Sequence, residues 1–223
     1  MIKKKTGEKF FFAAAAFVII SSLAVCSVAQ YFGACREVRS DVLRLHIIAD
    51  SNSRADQDVK LAVRDVLLQN GSGVFSGAVT ASDAEKAIGE RLYEIEDAAN
   101  GVLEENGFSY KAKASVVYEY FDTREYDGFT LPAGKYTALK VVLGRGEGKN
   151  WWCVMFPPLC LPAASENEKD VCEVFSDGEL RAVEPQNGYK VRFKIVELVE
   201  KAFERIEKML EDKNKSSDPV PVS

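Results

Sequence analysis

The sequence predicts a mixed α/β domain (α+β), a small mixed sheet of about three to four strands with two to three packed helices, behind an apolar N-terminal segment. Three observations carry that expectation. Val42–Ala49 is a short run too apolar for a strand with one wet face, so it reads as a central strand covered on both sides. Tyr110–Phe121 alternates Ala112, Ala114, Val116, Tyr118 and Tyr120 with Lys111, Lys113, Ser115 and Glu119, the two-residue period of a half-buried strand. Between them, apolar residues recur at helical spacing.

The first element is the N-terminus. Lys3, Lys4, Lys5 and Lys9 precede an apolar run from Phe10 to about Ala29, interrupted only by serines. A basic head, an apolar middle and small residues at Ser27 and Ala29 make an export signal with a cleavage point after Ala29. A run of about 20 residues equally spans a bilayer as an uncleaved anchor. With the lysines retained inside, Gln30 onward lies outside the cytoplasm in either case. The chain is therefore divided into a signal or anchor over 1–29, a linker over 30–41, a single extracytoplasmic domain over 42–212 and a flexible tail over 213–223.

After the strand at Val42–Ala49, Asp50-Ser51-Asn52-Ser53 supplies turn and capping residues, and Ser53 with Asp56 has the spacing of a capping box. Val59, Ala62, Val63, Val66 and Leu67 mark the buried side of a helix to about Gln69, which Gly71-Ser72-Gly73 is expected to stop. A second helix is expected from Ser82 or Asp83 to Asn106. Gly89 and Gly101 weaken it by about 1 kcal/mol each relative to alanine, so the natural break is near Asn100-Gly101. Asp127-Gly128 turns the chain between the strand at Tyr110–Phe121 and a third strand, Lys135–Leu143, taken as its antiparallel neighbour. Leu161–Gln186 is polar and poorly patterned, consistent with a short helix or irregular excursion carrying Cys172. A final helix over Val191–Glu211 carries Glu197/Lys201 and Glu204/Lys208 pairs on its wet side.

Asn150–Cys160 holds both tryptophans, two of the five cysteines and an adjacent proline pair. Prolines remove backbone donors and extend the residue before them, so the segment is expected to stay out of the sheet. So apolar an irregular segment is either buried by the domain or offered to a partner. Outside the cytoplasm Cys35, Cys153, Cys160 and Cys172 permit three pairings. Cys153 and Cys160 are close enough to close a short loop worth about 2–3 kcal/mol. The alternative is a pair of buried free thiols.

The formal net charge is -5 and evenly spread, which excludes the clustered basic face of a nucleic-acid binder. His46, the single histidine, lies in an apolar strand and reads as a hydrogen-bonded structural residue. No Gly-x-Ser-x-Gly elbow supplies a nucleophile, and no Cys-x-x-Cys suggests zinc. Gly144-Arg-Gly-Glu-Gly-Lys149 lacks the spacing and the terminal Ser or Thr of a phosphate loop, and reads as a flexible turn. Asp50, Asp56 and Asp58 are explained by a capped helix start as well as by an acidic catalytic pair. No metal or cofactor is expected, and the pattern favours binding or signalling over catalysis.

Three stretches together carry a resemblance. They are Leu43–Ser53 with Asp56-Gln57 and Lys60–Asp65, then Leu131-Pro-Ala-Gly-Lys-Tyr136, then Gly148–Cys160. The chain resembles the stage II sporulation protein R family of endospore-forming bacteria. Asp50 and Asn52 stand where that family is expected to carry Asn and Asp, and Arg54 where a proline is common. The resemblance implies a signalling protein, not itself an enzyme, made in the forespore and exported to the space between forespore and mother-cell membranes. There it would activate a membrane-embedded aspartic protease that processes a mother-cell sigma factor precursor. The residues taken as its contact surface are Trp151, Trp152, Phe156, Pro157 and Pro158, with His46, Asp50 and Asn52. The competing reading is a secreted hydrolase using His46 or the Asp50/Asp56 carboxylates.

Overall fold

The computed structural model describes residues 2–75, 77–126, 129–159, 175–183, 194, 196–202, 205–206 and 209. A four-stranded mixed sheet separates two layers. Its strands are β1 (Leu43–Ile48), β2 (Ala112–Phe121), β5 (Gly134–Leu143) and β6 (Asn150–Phe156), in the order β2-β5-β1-β6. β1 is central, as its apolar run predicts, with β5 parallel on one side and β6 antiparallel on the other. β2 pairs antiparallel with β5 and forms one edge. A hairpin of β3 (Arg124–Tyr126) and β4 (Phe129–Leu131) makes a separate two-stranded sheet, and Asp127-Gly128 between them lies outside the described residues.

Alternation along β1 divides the interior into two. Leu43, Leu45 and Ile47 point to the front, where α2 (Arg54–Val74), α3 (Ala81–Glu90) and α4 (Leu92–Glu105) cover them with Val59, Val63, Leu67, Ile88, Ile95 and Leu103. The back holds Val154 of β6 and Tyr136 and Ala138 of β5. It is covered by the hairpin residues Phe129 and Leu131, by Phe175 before α5 (Asp177–Val183), and by Tyr31, Ala34, Cys35 and Val38.

Those last four residues belong to α1, one helix from Ile2 to Asp41. The stretch 30–41, expected as a linker, is thus helical and partly interior, because Tyr31, Ala34, Cys35 and Val38 recur at helical spacing and bury one stripe. Upstream, Phe17, Ile19, Ile20 and Leu23 are all exposed, and the helix is long and apolar enough to cross a membrane over Ala14–Asp41, with mean hydropathy 1.9.

Several local readings change. Asn150–Phe156, expected to avoid the sheet, is the edge strand β6. The prolines constrain only Phe156 and their own positions; the residues before them are aromatic and apolar, good strand formers at an edge. The Phe156–Pro157 peptide is cis. α2 does not stop at Gly71 but runs to Val74, where Gly71 packs against Phe75 and Met155. The second helix breaks at Arg91, two residues past Gly89, and Gly101 sits inside α4 with open space around it. α3 starts earlier than expected, capped reciprocally by Thr80 and Asp83. Of the last helix, the described residues are helical and Lys201 bonds Glu197 at 2.7 Å; Glu204 and Lys208 lie outside the described residues.

Ile47 is fully buried between sheet and helices. Ile47→Ala is expected to lower the unfolding free energy by about 2–5 kcal/mol, read from urea denaturation of the folded domain.

Candidate functional site

Two of the three motif stretches, Leu43–Ser53 and Gly148–Cys160, meet at the C-terminal end of β1, whereas Leu131–Tyr136 enters β5 at the other end, where Ala133 O accepts from Arg39 Nη1 at 3.0 Å. At the C-terminal end the Asp50–Ser53 turn and the Gly144–Asn150 loop are joined through the main chain: Gly148 N–H donates to Ala49 O at 2.8 Å and Glu147 N–H to Asp50 O at 3.1 Å. Gly148 lies so close to the Ser51 carbonyl that a Cβ has no room, which explains a glycine there in terms of approach rather than phosphate binding. Gly144 has φ +56° and is pressed against the Asp50 carboxylate. Lys60, buried on α2, spans the same junction, donating to Gln57 Oε1 at 2.7 Å and to Lys149 O at 2.9 Å; burial pulls its pKa down.

The aspartates of this end are committed to structure. Asp50 accepts from Arg145 Nη2 at 3.0 Å and from the Arg145 N–H at 2.7 Å, contacts that hold its carboxyl below the usual range. Asp56 is buried and accepts from the Ser51 hydroxyl, from Tyr110 OH at 2.7 Å and from Ser53 Oγ at 2.8 Å; these bonds, Ser51 first, depress its pKa against the opposing effect of burial. Ser53 Oγ also caps α2 by accepting from Asp56 N–H at 3.1 Å, so half of the expected capping box forms. The other half is diverted, because Ser53 N–H donates to Ser51 Oγ. Asn52 is exposed at the tip of the turn.

His46 lies on the back face, apart from both aspartates. Its Nδ1 is 2.5 Å from Glu119 Oε1 of β2, and its Nε2 is 3.0 Å from Asn150 Oδ1 of β6. Glu119 also receives Lys140 Nζ of β5 at 2.7 Å; burial works to raise its pKa, but the bonds from Lys140 and His46 bring it down. The imidazole stacks on Trp152 at 5.6 Å between centroids, and the Arg124 guanidinium lies 4.0 Å above the outer Trp152 ring. Four strands and the hairpin thus meet in one polar-aromatic stack.

Deeper on the same face Arg44 is fully buried. It donates to Tyr126 OH at 2.5 Å, and its guanidinium sits 4.1 Å from the Phe121 ring centroid and 5.0 Å from that of Tyr136. Its Nε and Nη1 have no hydrogen-bond partner among the described residues. An aromatic box in place of a carboxylate ties the hairpin to the sheet.

The residues expected as one contact surface do not form one patch. Alternation sends Trp151 to the front, beneath the Arg64 guanidinium at 5.1 Å, and Trp152 to the back; both are half-buried. A β-bulge sets Val154-Met155-Phe156 against Leu43-Arg44, so Phe156 joins Met155 on the front against Phe75. Pro157 and Pro158 follow the strand, half-buried. Cys153 is fully buried and disulfide-bonded, while Cys160 and Cys172 lie outside the described residues. Cys35 is a free, buried thiol. Both His46 nitrogens are taken, and among the described residues no hydroxyl or thiol is hydrogen-bonded to them, so His46 is not paired with a nucleophile. Sequence reasoning missed Glu119, Lys140, Arg44, Arg124 and Lys60. Their signal was a charge breaking an apolar pattern, but the partners lie up to 104 positions away.

The family model described as stage II sporulation protein R matches residues 39–166, which take in the whole sheet. Stage II sporulation protein R of Bacillus subtilis (strain 168) is 30% identical over 186 residues, 74% of this chain and 83% of the relative. No solved structure matches.

Gly148→Ala forces the two loops apart and is expected to cost about 1–3 kcal/mol, seen as a lower thermal midpoint. Because the folded-state pKa of Asp56 is depressed, its contribution to stability is complete above the unfolded value of about 4 and is lost as pH falls through the folded value. Asp56→Asn is therefore expected to flatten the loss of stability below about pH 4, measured by denaturation at stepped pH.

Proposed function

The chain belongs to the stage II sporulation protein R family, and from that premise we propose that it is an exported signal whose folded domain activates a membrane-embedded aspartic protease, which then processes a mother-cell sigma factor precursor. Its role in sporulation follows from the family. The finer reading places its synthesis in the forespore and its action in the space between the forespore and mother-cell membranes. The observation that carries it is the family match over the sheet. The apolar α1 is compatible with export as a signal peptide or an anchor.

The back-face stack supports a contact role. His46, Glu119, Lys140 and Asn150 are held by one another in a fixed arrangement, which suits a preorganised recognition surface. Arg124 and Trp152 beside them are half-buried, with area still free for a partner. Asn52 and the neighbouring Asp50 stand at one end of the same domain. Trp151, Phe156, Pro157 and Pro158 shape the opposite face and the strand end, so their part in contact is separate from that of Trp152.

Co-expression of the full chain with the protease and the sigma precursor in a non-sporulating host tests the reading. Precursor cleavage is expected only when the chain is present and exported, and removal of residues 2–29 is expected to abolish it. Cleavage that does not depend on the chain would overturn the proposal.

A further inference from the structure

A cleft of about 430 Å³ opens on the front of the domain, between the second half of α2 and the first turns of α4, and all the residues that line it are among the described ones. Its floor is apolar, made by Leu67 and Val74 of α2, Ile95 of α4 and Met155 of β6. The Met155 methyl lies against bare α2 main chain, 3.5 Å from where a Cβ on Gly71 would stand. The mouth is polar and carries both signs of charge. Arg91 and Glu94 line it one helical turn apart at the start of α4, and both are exposed. On the α2 side Gln69 and Asn70 add two exposed carboxamides.

The volume lies within the range of small-molecule sites, and an apolar floor under a few polar groups is their usual construction. The lining then narrows the chemistry. A metal ion would find a single carboxylate. A phosphate would face one cation with one anion beside it. A sugar would set hydroxyls on four apolar side chains, where they find no hydrogen-bond partner. A fatty acid could use the floor and Arg91, but it would leave Glu94 beside an acyl chain. What meets every part is an apolar side chain joined at one carbon to a carboxylate and an ammonium. The carboxylate answers Arg91, the ammonium answers Glu94, and the carboxamides bond to either. Met155, unbranched and polarisable, adapts to branched chains and favours aromatic rings.

We propose that this cleft is a binding site for a free α-amino acid with a large apolar side chain, aromatic first. The side chain rests on Leu67, Ile95 and Met155, and the two charged groups stay at the mouth between Arg91 and Glu94. The site lies on the face opposite His46 and Trp152, so ligand and back-face stack do not compete for the same side chains.

The test uses the full chain in lipid nanodiscs, labelled with carbon-13 at the methionine methyls. L-phenylalanine is expected to shift the Met155 methyl, leaving the exposed Met209 methyl unchanged, with a dissociation constant of about 0.1–2 mM. N-acetyl-L-phenylalaninamide keeps the ring and lacks both charges, and octanoate keeps a carboxylate and lacks the ammonium. Each is expected to bind at least about fivefold more weakly. Arg91→Gln and Glu94→Gln lie at exposed positions and are each expected to weaken L-phenylalanine binding about threefold. Ala98→Trp, on the half-buried wall, is expected to fill the cleft and abolish the shift. A Met155 methyl unmoved by L-phenylalanine and L-leucine up to about 20 mM overturns the inference. Equal binding by the uncharged amide assigns the cleft to a residue within a polypeptide, equal binding by octanoate assigns it to an acyl chain, and either overturns it too. So does unchanged affinity in both glutamine variants.

Discussion

β1 carries Leu43, Leu45 and Ile47 to one side and Arg44 and His46 to the other, and all five are buried. A central strand of this kind cannot be satisfied by one layer. Its apolar side requires the helices α2 to α4, and its polar side requires groups that can meet a guanidinium and an imidazole without water. The second requirement is the more demanding, since an unpartnered buried polar group costs about 1–3 kcal/mol. It is met for His46, and in part for Arg44, by residues of the other three strands and the hairpin. Glu119 comes from β2, Lys140 from β5, Asn150 and Trp152 from β6, and Tyr126 and Arg124 from the hairpin. The register of β6 against β1 follows from this, because a one-residue slip would take Asn150 and Trp152 away from His46 and turn Trp151 to the back.

Arg44 completes that arrangement in an unusual way. An aromatic face stabilises a desolvated guanidinium by about 2 kcal/mol or more, against a burial penalty of several kcal/mol for the ion. Its Nε and Nη1 stay unpaired among the described residues. Tyr136, itself fully buried and donating to Pro132 O at 2.6 Å, fixes the aromatic box around Arg44 in place. The hairpin is too short to be stable alone, and its attachment through Tyr126 makes it part of the domain.

The elements easiest to read in the sequence were those whose apolar pattern is long or two-sided. β1, β2, β5 and the first half of α2 declare themselves by period and by turn residues. β3 and β4, three residues each, are too short for any period to register. β6 was hidden by its own ending: the prolines dominate the reading of 150–160, although they act only on the last residue of the strand. With β6 placed, alternation alone separates Trp151 from Trp152. The bulge at Met155 that brings Phe156 to the front is not written in any local pattern. α1 was divided too early, because exposed apolar and interior apolar residues look alike in composition. At the site, the cap at Ser53 and the structural character of His46 were legible from local chemistry. The identity of the histidine's partners was not, since Glu119 and Asn150 reach it only through the sheet register.

The unbroken course of α1 has a mechanical consequence. The exposed apolar run passes into the interior stripe at Tyr31 without a hinge, so about 3 Å of helix separates Ala29 from the first buried side chain. Wherever that run lies in a bilayer, the domain has no leash. It rides at the lipid surface with its attitude set by the helix, and encounters with other membrane proteins become collisions in a plane, at a fixed height and with one flank forward. If the run is cut away near Ala29, the same domain is released with its interior stripe intact and searches in three dimensions. The helix therefore makes retention or release of one segment a choice between two regimes of encounter, with no change in the folded surface that is presented.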